Sequence, residues 1–212
     1  MEQGLNRFGW TFRYQDGIAI EDSTYRLDRV SGPIATPGTY TIELTVGGVT
    51  ERTQLTVRGD PRARYGRRRY AARLAYAQRA NAAATDLIES ANAASRLRRQ
   101  VEQRLATDST SAAAAALRAV RDTVLAFGAR ALPLWYGRNE GAPPYHSTIL
   151  TDLSRLGGDP NRAPNAMERR ALDTMTGVAR AEVARFHASL GPLVAAANAA
   201  LRAAGQAELT SR

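Results

Sequence analysis

The chain changes its hydrophobic rhythm once. Between residues 4 and 58 apolar and polar positions alternate; from about residue 67 apolar residues recur every three or four positions. A period of two buries one face of a strand, and a period near 3.6 buries one stripe of a helix. In GLNRFGWTFRY, residues 4–14, the rings of Phe8, Trp10, Phe12 and Tyr14 fall on every second residue, which predicts a strand with an aromatic face. Weaker apolar stretches follow at Ile18–Ile20 and Tyr25–Val30, and SGPIATPG is rich in turn residues. TYTIELTV then places Tyr40, Ile42, Leu44 and Val46 on one face and Thr41, Glu43 and Thr45 on the other. Gly47-Gly48 predicts a two-residue hairpin turn, since primed turns need positive φ and glycine adopts it without a Cβ clash. The return strand runs from Val49 to Val57.

The helical rhythm follows Arg58-Gly59-Asp60-Pro61. Tyr70, Leu74, Ala77, Ala84, Leu87, Ala91, Ala94, Leu97, Val101 and Leu105 mark the inner stripe of a first helix. At about 38 residues it is about 57 Å long. Asp108-Ser109 offers an N-cap for a second helix with Leu117, Val120, Val124, Phe127 and Ala131 inward. Pro133 and Gly137 disturb the pattern, and 139–144 reads as a loop. A short third helix is expected over about Tyr145–Leu156, ending at Gly157-Gly158. The fourth begins near Ala166, with Met167, Ala171, Met175, Val178, Val183, Phe186, Leu190, Leu193, Ala197 and Leu201 inward, a kink at Gly191-Pro192 and an end at Gly205. The expected fold is therefore α+β. A small, truncated, Ig-like antiparallel β-sandwich (1–60) leads through an Arg-rich linker (61–69) into an antiparallel three- to four-helix bundle (70–212). Many inward positions are alanine, which lets helices approach closely but buries little apolar area each.

Charge and composition narrow the chemistry. Of 212 residues, 29 are basic and 20 acidic, for a formal net charge of +9, and with no lysine all the basic charge is arginine. That balance admits an acidic protein surface, anionic lipid headgroups or nucleic acid as partner. Nucleic acid is disfavoured, because no zinc-finger, RNA-recognition or helix-turn-helix signature accompanies the arginines. The absence of cysteine excludes disulfides, thiolate metal sites and cysteine nucleophiles. No apolar run approaches the roughly 20 residues of a membrane span. The start, MEQGLNRFGW, lacks the apolar core of a signal peptide, so either a cytoplasmic chain or a lost leader is expected.

No residue pattern points to catalysis, a cofactor or a metal. The two histidines, His146 and His187, are far apart in sequence, and Ser147 and Asp152 near the first show no oriented base. Asp86 and Glu89 share a helix face but read as solvated, and Glu168 and Asp173 suit the start of a helix. The densest feature is RGDPRARYGRRRYAAR, residues 58–73, with Arg58, Arg62, Arg64, Arg67, Arg68, Arg69 and Arg73 against the single acid Asp60. It reads as a solvated linker and helix start or as an anionic docking patch. Arginine at a helix N-terminus opposes the helix dipole, which favours an external anion.

GLNRFGWTFRY, then SGPIATPGTYTIELTVGGVTERTQLTVRGDPR, then a helical tail ending NAALRAAGQAEL, resembles the C-terminal region of bacterial sortilin-related, BNR-repeat β-propeller proteins, a glycosyl-hydrolase-like family. The resemblance implies an Ig-like sandwich and a closing helical bundle after a propeller, and export to the periplasm or a peripheral place at the membrane. The propeller is absent, so the family's hydrolase activity is not carried over, and no catalytic residue of the family maps onto this chain. Trp10-Thr11-Phe12-Arg13 stands where the family reads W-D-L-R.

The function expected is accordingly non-enzymatic: an interaction or scaffolding protein, an accessory subunit docking on a larger complex, membrane complexes included. Phe8, Trp10, Phe12 and Tyr14 form one expected contact, and Arg62, Arg64, Arg67, Arg68, Arg69 and Arg73 the other. The alternatives are a fragment of a hydrolase-like enzyme and nucleic-acid binding through the arginines.

Overall fold

The computed structural model describes residue 4 and residues 6–21, 29–62, 65–132, 148–156 and 162–210. It is mixed α and β. Two strands, β1 (Gly38–Val46) and β2 (Val49–Val57), form an antiparallel ribbon. Among the described residues four helices follow: α1 (Arg67–Thr107), α2 (Ala114–Ala131), α3 (Ile149–Arg155) and α4 (Ala166–Ala203).

The hairpin follows its sequence pattern. Gly47 and Gly48 have φ of 56° and 83°, the left-handed pair that a primed two-residue turn requires. The register pairs Tyr40 with Leu55, Ile42 with Thr53, Leu44 with Glu51 and Val46 with Val49 on one face. The other face closes on itself. Arg52 donates to Glu43 at 2.7 Å, and the hydroxyls of Thr45 and Thr50 are 2.8 Å apart. No described helix packs on either strand.

The expected aromatic strand at Phe8–Tyr14 is not formed. Pairing is limited to a single bridge, Arg13 with Ile34, held by Tyr14 N–H to the Pro33 carbonyl and Ala35 N–H to the Phe12 carbonyl, each 2.8 Å. Phe12 interrupts the run with φ of 55°, a conformation an aromatic residue rarely adopts. Trp10 lies against the Tyr40 ring, 5.2 Å between centroids. Among the described residues there is one two-stranded ribbon and no second sheet packed on it.

Residues 14–21 and 29–35 strap the β portion to α1. The Gly32 N–H donates to Asp16, and a Cβ on Gly32 would lie 1.9 Å from the Tyr14 carbonyl oxygen, so only glycine fits there. Asn92 on α1 reads the extended chain with both ends of its amide: it donates to the Ala19 carbonyl and accepts from Glu21 N–H, each 2.9 Å. Arg96 and Arg99 pair with Glu21. Ile20 and Val30 thereby join the helical core rather than a separate β core.

Contacts rise together along α1 and α4: Tyr76 with Glu168, Arg79 with Asp173, Ser90 with His187. The two long helices are therefore parallel. Along α2 they fall, with Phe127 stacked on Phe186 at 4.1 Å and Arg130 on Glu182, so α2 is antiparallel to α4. All five residues expected inward on α2 are buried, as are Ala77, Ala84, Leu87, Ala91, Ala94, Leu97 and Val101 of α1. Among the described residues, nine of the 27 in the core are alanine.

Three expectations change. On α4 Phe186, Ala197 and Leu201 are buried as expected, and Met175, Val183, Leu190 and Leu193 pack against the core, but Met167 and Val178 are exposed, and Leu172, Thr176, Ala179 and Glu182 join the buried stripe. The stripe includes a hydroxyl and a carboxylate, which a search for apolar periodicity passes over. Asp108 does not cap α2: its carboxylate accepts from the N–H groups of Thr110 and Ser111, and α2 starts later at Ala114 without a side-chain cap. Those donors, the Thr110 N–H foremost, hold the Asp108 carboxyl below its usual pKa. The third helix begins at Ile149, capped by Thr148 in a reciprocal pair with Thr151; Tyr145, His146 and Ser147 lie outside the described residues, as do Pro133 and Gly137. α4 opens with the same kind of reciprocal cap, Asn165 with Glu168, and is one helix across Gly191-Pro192. It ends in a Schellman turn: Gly205, φ 68°, donates to the Arg202 carbonyl, and Gln206 N–H to the Leu201 carbonyl.

Candidate interaction surface

The hairpin presents its apolar face to solvent. Ile42, Leu44, Val46 and Val49 are each close to half exposed or more, although their alternation is that of a buried face. Trp10 and Phe12, 5.0 Å apart between ring centroids, extend this surface at the Tyr40 end. Trp10 Nε1 is held by the Arg13 carbonyl at 2.8 Å, and the Tyr40 hydroxyl donates to the Thr36 carbonyl at 2.6 Å. Hydrogen bonding to Tyr40, with burial second, raises the Tyr14 hydroxyl pKa. Of the four aromatic residues singled out from the sequence, Trp10 and Tyr14 thus meet Tyr40, and Phe12 joins them through Trp10. Phe8 does not, and stands 69 % exposed.

The arginines do not form one face. Successive helical residues point about 100° apart, so Arg67, Arg68 and Arg69 fan around the first turn of α1. Arg69 lies over the Tyr65 ring and Arg73 over the Tyr76 ring, 5.3 and 5.4 Å from their centroids. Arg62 forks onto Asp60, with bonds of 3.0 and 2.8 Å, and its side chain is the first cause of the depressed Asp60 pKa. Arg64 lies outside the described residues. The first turn of α1 contains no acid and has no side-chain cap.

Between the two groups lies a groove of about 970 Å³. Phe12, Ile34, Leu55 and Val57 of the β portion and Tyr70, Arg73 and Leu74 of α1 line it, together with Arg13, Arg29 and Arg58. Gly59 marks the joint, since a Cβ there would meet the Tyr70 hydroxyl at 2.7 Å. Phe12 and Arg73 are the members of the two predicted sets that share this groove.

Sequence reasoning missed the exposed hairpin face, because alternation tells which residues share a face and not what covers it. It also missed Tyr40 as an organiser, whose only signal was an aromatic residue in line with Ile42 and Leu44. For the titratable candidates, Ser90 Oγ is 3.5 Å from His187 Nε2 but donates its own proton to the Asp86 carbonyl, so it is a helix-satisfied hydroxyl and not an activated nucleophile. Asp152 lies on α3 beside Arg155. Among the described residues no group of three or more metal-ligating side chains occurs, and no helix is long and apolar enough to cross a membrane. Comparison of the chain with protein-family models, curated proteins and solved structures gives no match.

Proposed function

We propose that this chain is a non-enzymatic docking protein, an accessory subunit that stabilises a larger assembly by lending it the apolar face of the β1–β2 hairpin. The observation that carries this reading is the asymmetry of the hairpin: its polar face is closed by its own cross-strand pairs, while its apolar face is bare. A lone two-stranded ribbon is marginally stable in water. Exposed apolar surface on the scale of roughly a few hundred Å² marks interaction sites. The Ig-like sandwich belongs to this proposal: the hairpin is one half, and a partner's sheet or strand is the other. The arginines around the start of α1 meet an acidic protein surface or anionic headgroups beside it.

The test is purification from the source in mild detergent, with the native chain and an Ile42→Arg/Leu44→Arg variant compared by mass spectrometry. A fixed stoichiometric companion present with the native chain and lost with the variant is expected. Recovery of the chain alone, or companions unaffected by the variant, refutes the reading. Changing Arg67, Arg68 and Arg69 to Gln should make the same association weaker and less salt-sensitive.

A further inference from the structure

Past the Schellman turn the chain doubles back and runs extended over the C-terminal ends of α1 and α4. Nothing in residues 206–210 is helix or strand, yet side chains take the backbone carbonyls of Ala207 and Glu208 and both backbone groups of Leu209 and Thr210. Asn198 on α4 accepts from Leu209 N–H at 2.7 Å and donates to the Leu209 carbonyl at 3.3 Å. Gln100 on α1 does the same for the next residue, accepting from Thr210 N–H at 3.0 Å and donating to its carbonyl at 2.9 Å. Arg104 donates to the carbonyls of Ala207 and Glu208, at 3.0 and 3.2 Å. Side-chain contacts are fewer and more selective. Leu209 enters the core and is 4 % exposed, Glu208 pairs with Arg202 at 2.7 Å, and the Thr210 hydroxyl reaches Gln100 at 3.4 Å.

This is how a protein reads an extended peptide: bidentate amides take the backbone, whatever its sequence, and one apolar pocket beside one cation sets the preference. Helix pairing explains why the device sits here. α1 and α4 are parallel, so their negative dipole ends lie side by side, and Arg104 and Arg202 in the two last turns offset them. The same guanidiniums are then available to a peptide's carbonyls and to its acid.

We propose that the ends of α1 and α4 form a peptide-binding cleft for an extended acid–leucine–hydroxyl segment, and that residues 206–210 are its intramolecular ligand. The same cleft accepts a peptide of that chemistry in trans when the tail is displaced. A tail tethered by a short linker competes at an effective concentration of about 1 mM, so a trans peptide with a dissociation constant of about 100 µM is weakened about tenfold in the native chain.

The experiment uses the full chain and its Leu209→Asp variant, whose tail cannot fill the pocket. The probe is a fluorescein-labelled peptide of residues 205–210, Gly-Gln-Ala-Glu-Leu-Thr, read by anisotropy. Binding to the variant about tenfold tighter than to the native chain is expected, and the same peptide with Asp in place of its leucine should bind neither. Equal binding to both chains, or none to a variant with native circular dichroism, overturns the proposal. Should the variant not fold, the full chain with Gln100→Ala and Asn198→Ala replaces it. Amide exchange at Leu209 and Thr210 then rises while the interior of α4 is unchanged, and unchanged exchange at both residues refutes the cleft.

Discussion

Glu182 lies on the buried stripe of α4 with 2 % of its side chain exposed, one oxygen 2.7 Å from Arg130 Nε and the other on Arg185. Removing the carboxylate and removing the cations are unequal perturbations. Arg130 and Arg185 are 48 % and 64 % exposed, so without Glu182 both guanidiniums return to water. Without the arginines the charge stays inside the α2–α4 interface. An uncompensated buried charge costs about 3–5 kcal/mol. Losing hydrogen bonds to a charged group costs about 1.5–3 kcal/mol. The half-exposed arginines place Glu182→Gln at the lower end of that range, about 1.5 kcal/mol. Arg130→Ala/Arg185→Ala should cost about 3 kcal/mol or more. At this chain length 1 kcal/mol moves Tm by about 2–4 °C, so drops of about 3–6 °C and about 6–12 °C are expected. Glu182→Leu, which leaves no buried polar atom, should cost less than Glu182→Gln. The assay is thermal unfolding followed by far-UV circular dichroism at neutral pH. A double-arginine variant as stable as Glu182→Gln would refute the reasoning, because it would mean that the carboxylate is not held away from water.

Other outcomes follow from single positions. Gly32→Ala should destabilise by about 2 kcal/mol or more in urea unfolding, because its Cβ meets backbone oxygens of Tyr14 and Gln15 that a rotamer change cannot clear. Phe12→Gly should be nearly neutral by the same assay, since relief of about 1–2 kcal/mol of left-handed strain offsets an aromatic pair of about 0.5–1.5 kcal/mol. Phe12→Val, which keeps the strain and loses the ring, should be clearly less stable than Phe12→Gly. The Glu168 carboxyl is held below its ordinary value of 4.5 by hydrogen bonds from Arg162 and then from Asn165 N–H. A depressed folded pKa stabilises above the unfolded value and fades as pH falls through the folded one. The native chain should therefore out-melt Glu168→Gln at neutral pH, and the two curves should converge in acid below pH 4.5.

What the sequence made legible is what a local period encodes. The Gly47-Gly48 turn, the two strands it joins and the inner stripe of α2 follow from side-chain spacing alone. The aromatic run fails at one dihedral angle: nothing in Thr11-Phe12-Arg13 announces that Phe12 is left-handed, since tertiary pairing of residues 12–14 with 33–35 imposes it. The stripe on α4 is legible in Phe186, Ala197 and Leu201 but incomplete, since Glu182 is buried against Arg130 of α2, and periodicity of apolar residues does not reveal a polar residue inside a helix pair. The arginine cluster was legible as composition but not as geometry, for consecutive positions on a helix cannot face one partner together. The hold of Gln100 and Asn198 on Leu209 and Thr210 lies beyond sequence reading, because the two side chains meet only when two distant helices run parallel.

The alanine content of the core has a consequence for temperature. Heat capacity rises on unfolding in proportion to the apolar surface newly wetted and falls with the polar surface, giving about 12–15 cal/mol/K per residue in ordinary domains. A core one-third alanine wets less hydrocarbon when the helices separate, while each helical residue still exposes its peptide group. Calorimetry on this chain should return a value below that range. The stability curve is then shallow: the fold loses little on cooling, and its free energy changes slowly across tens of degrees before the final melt.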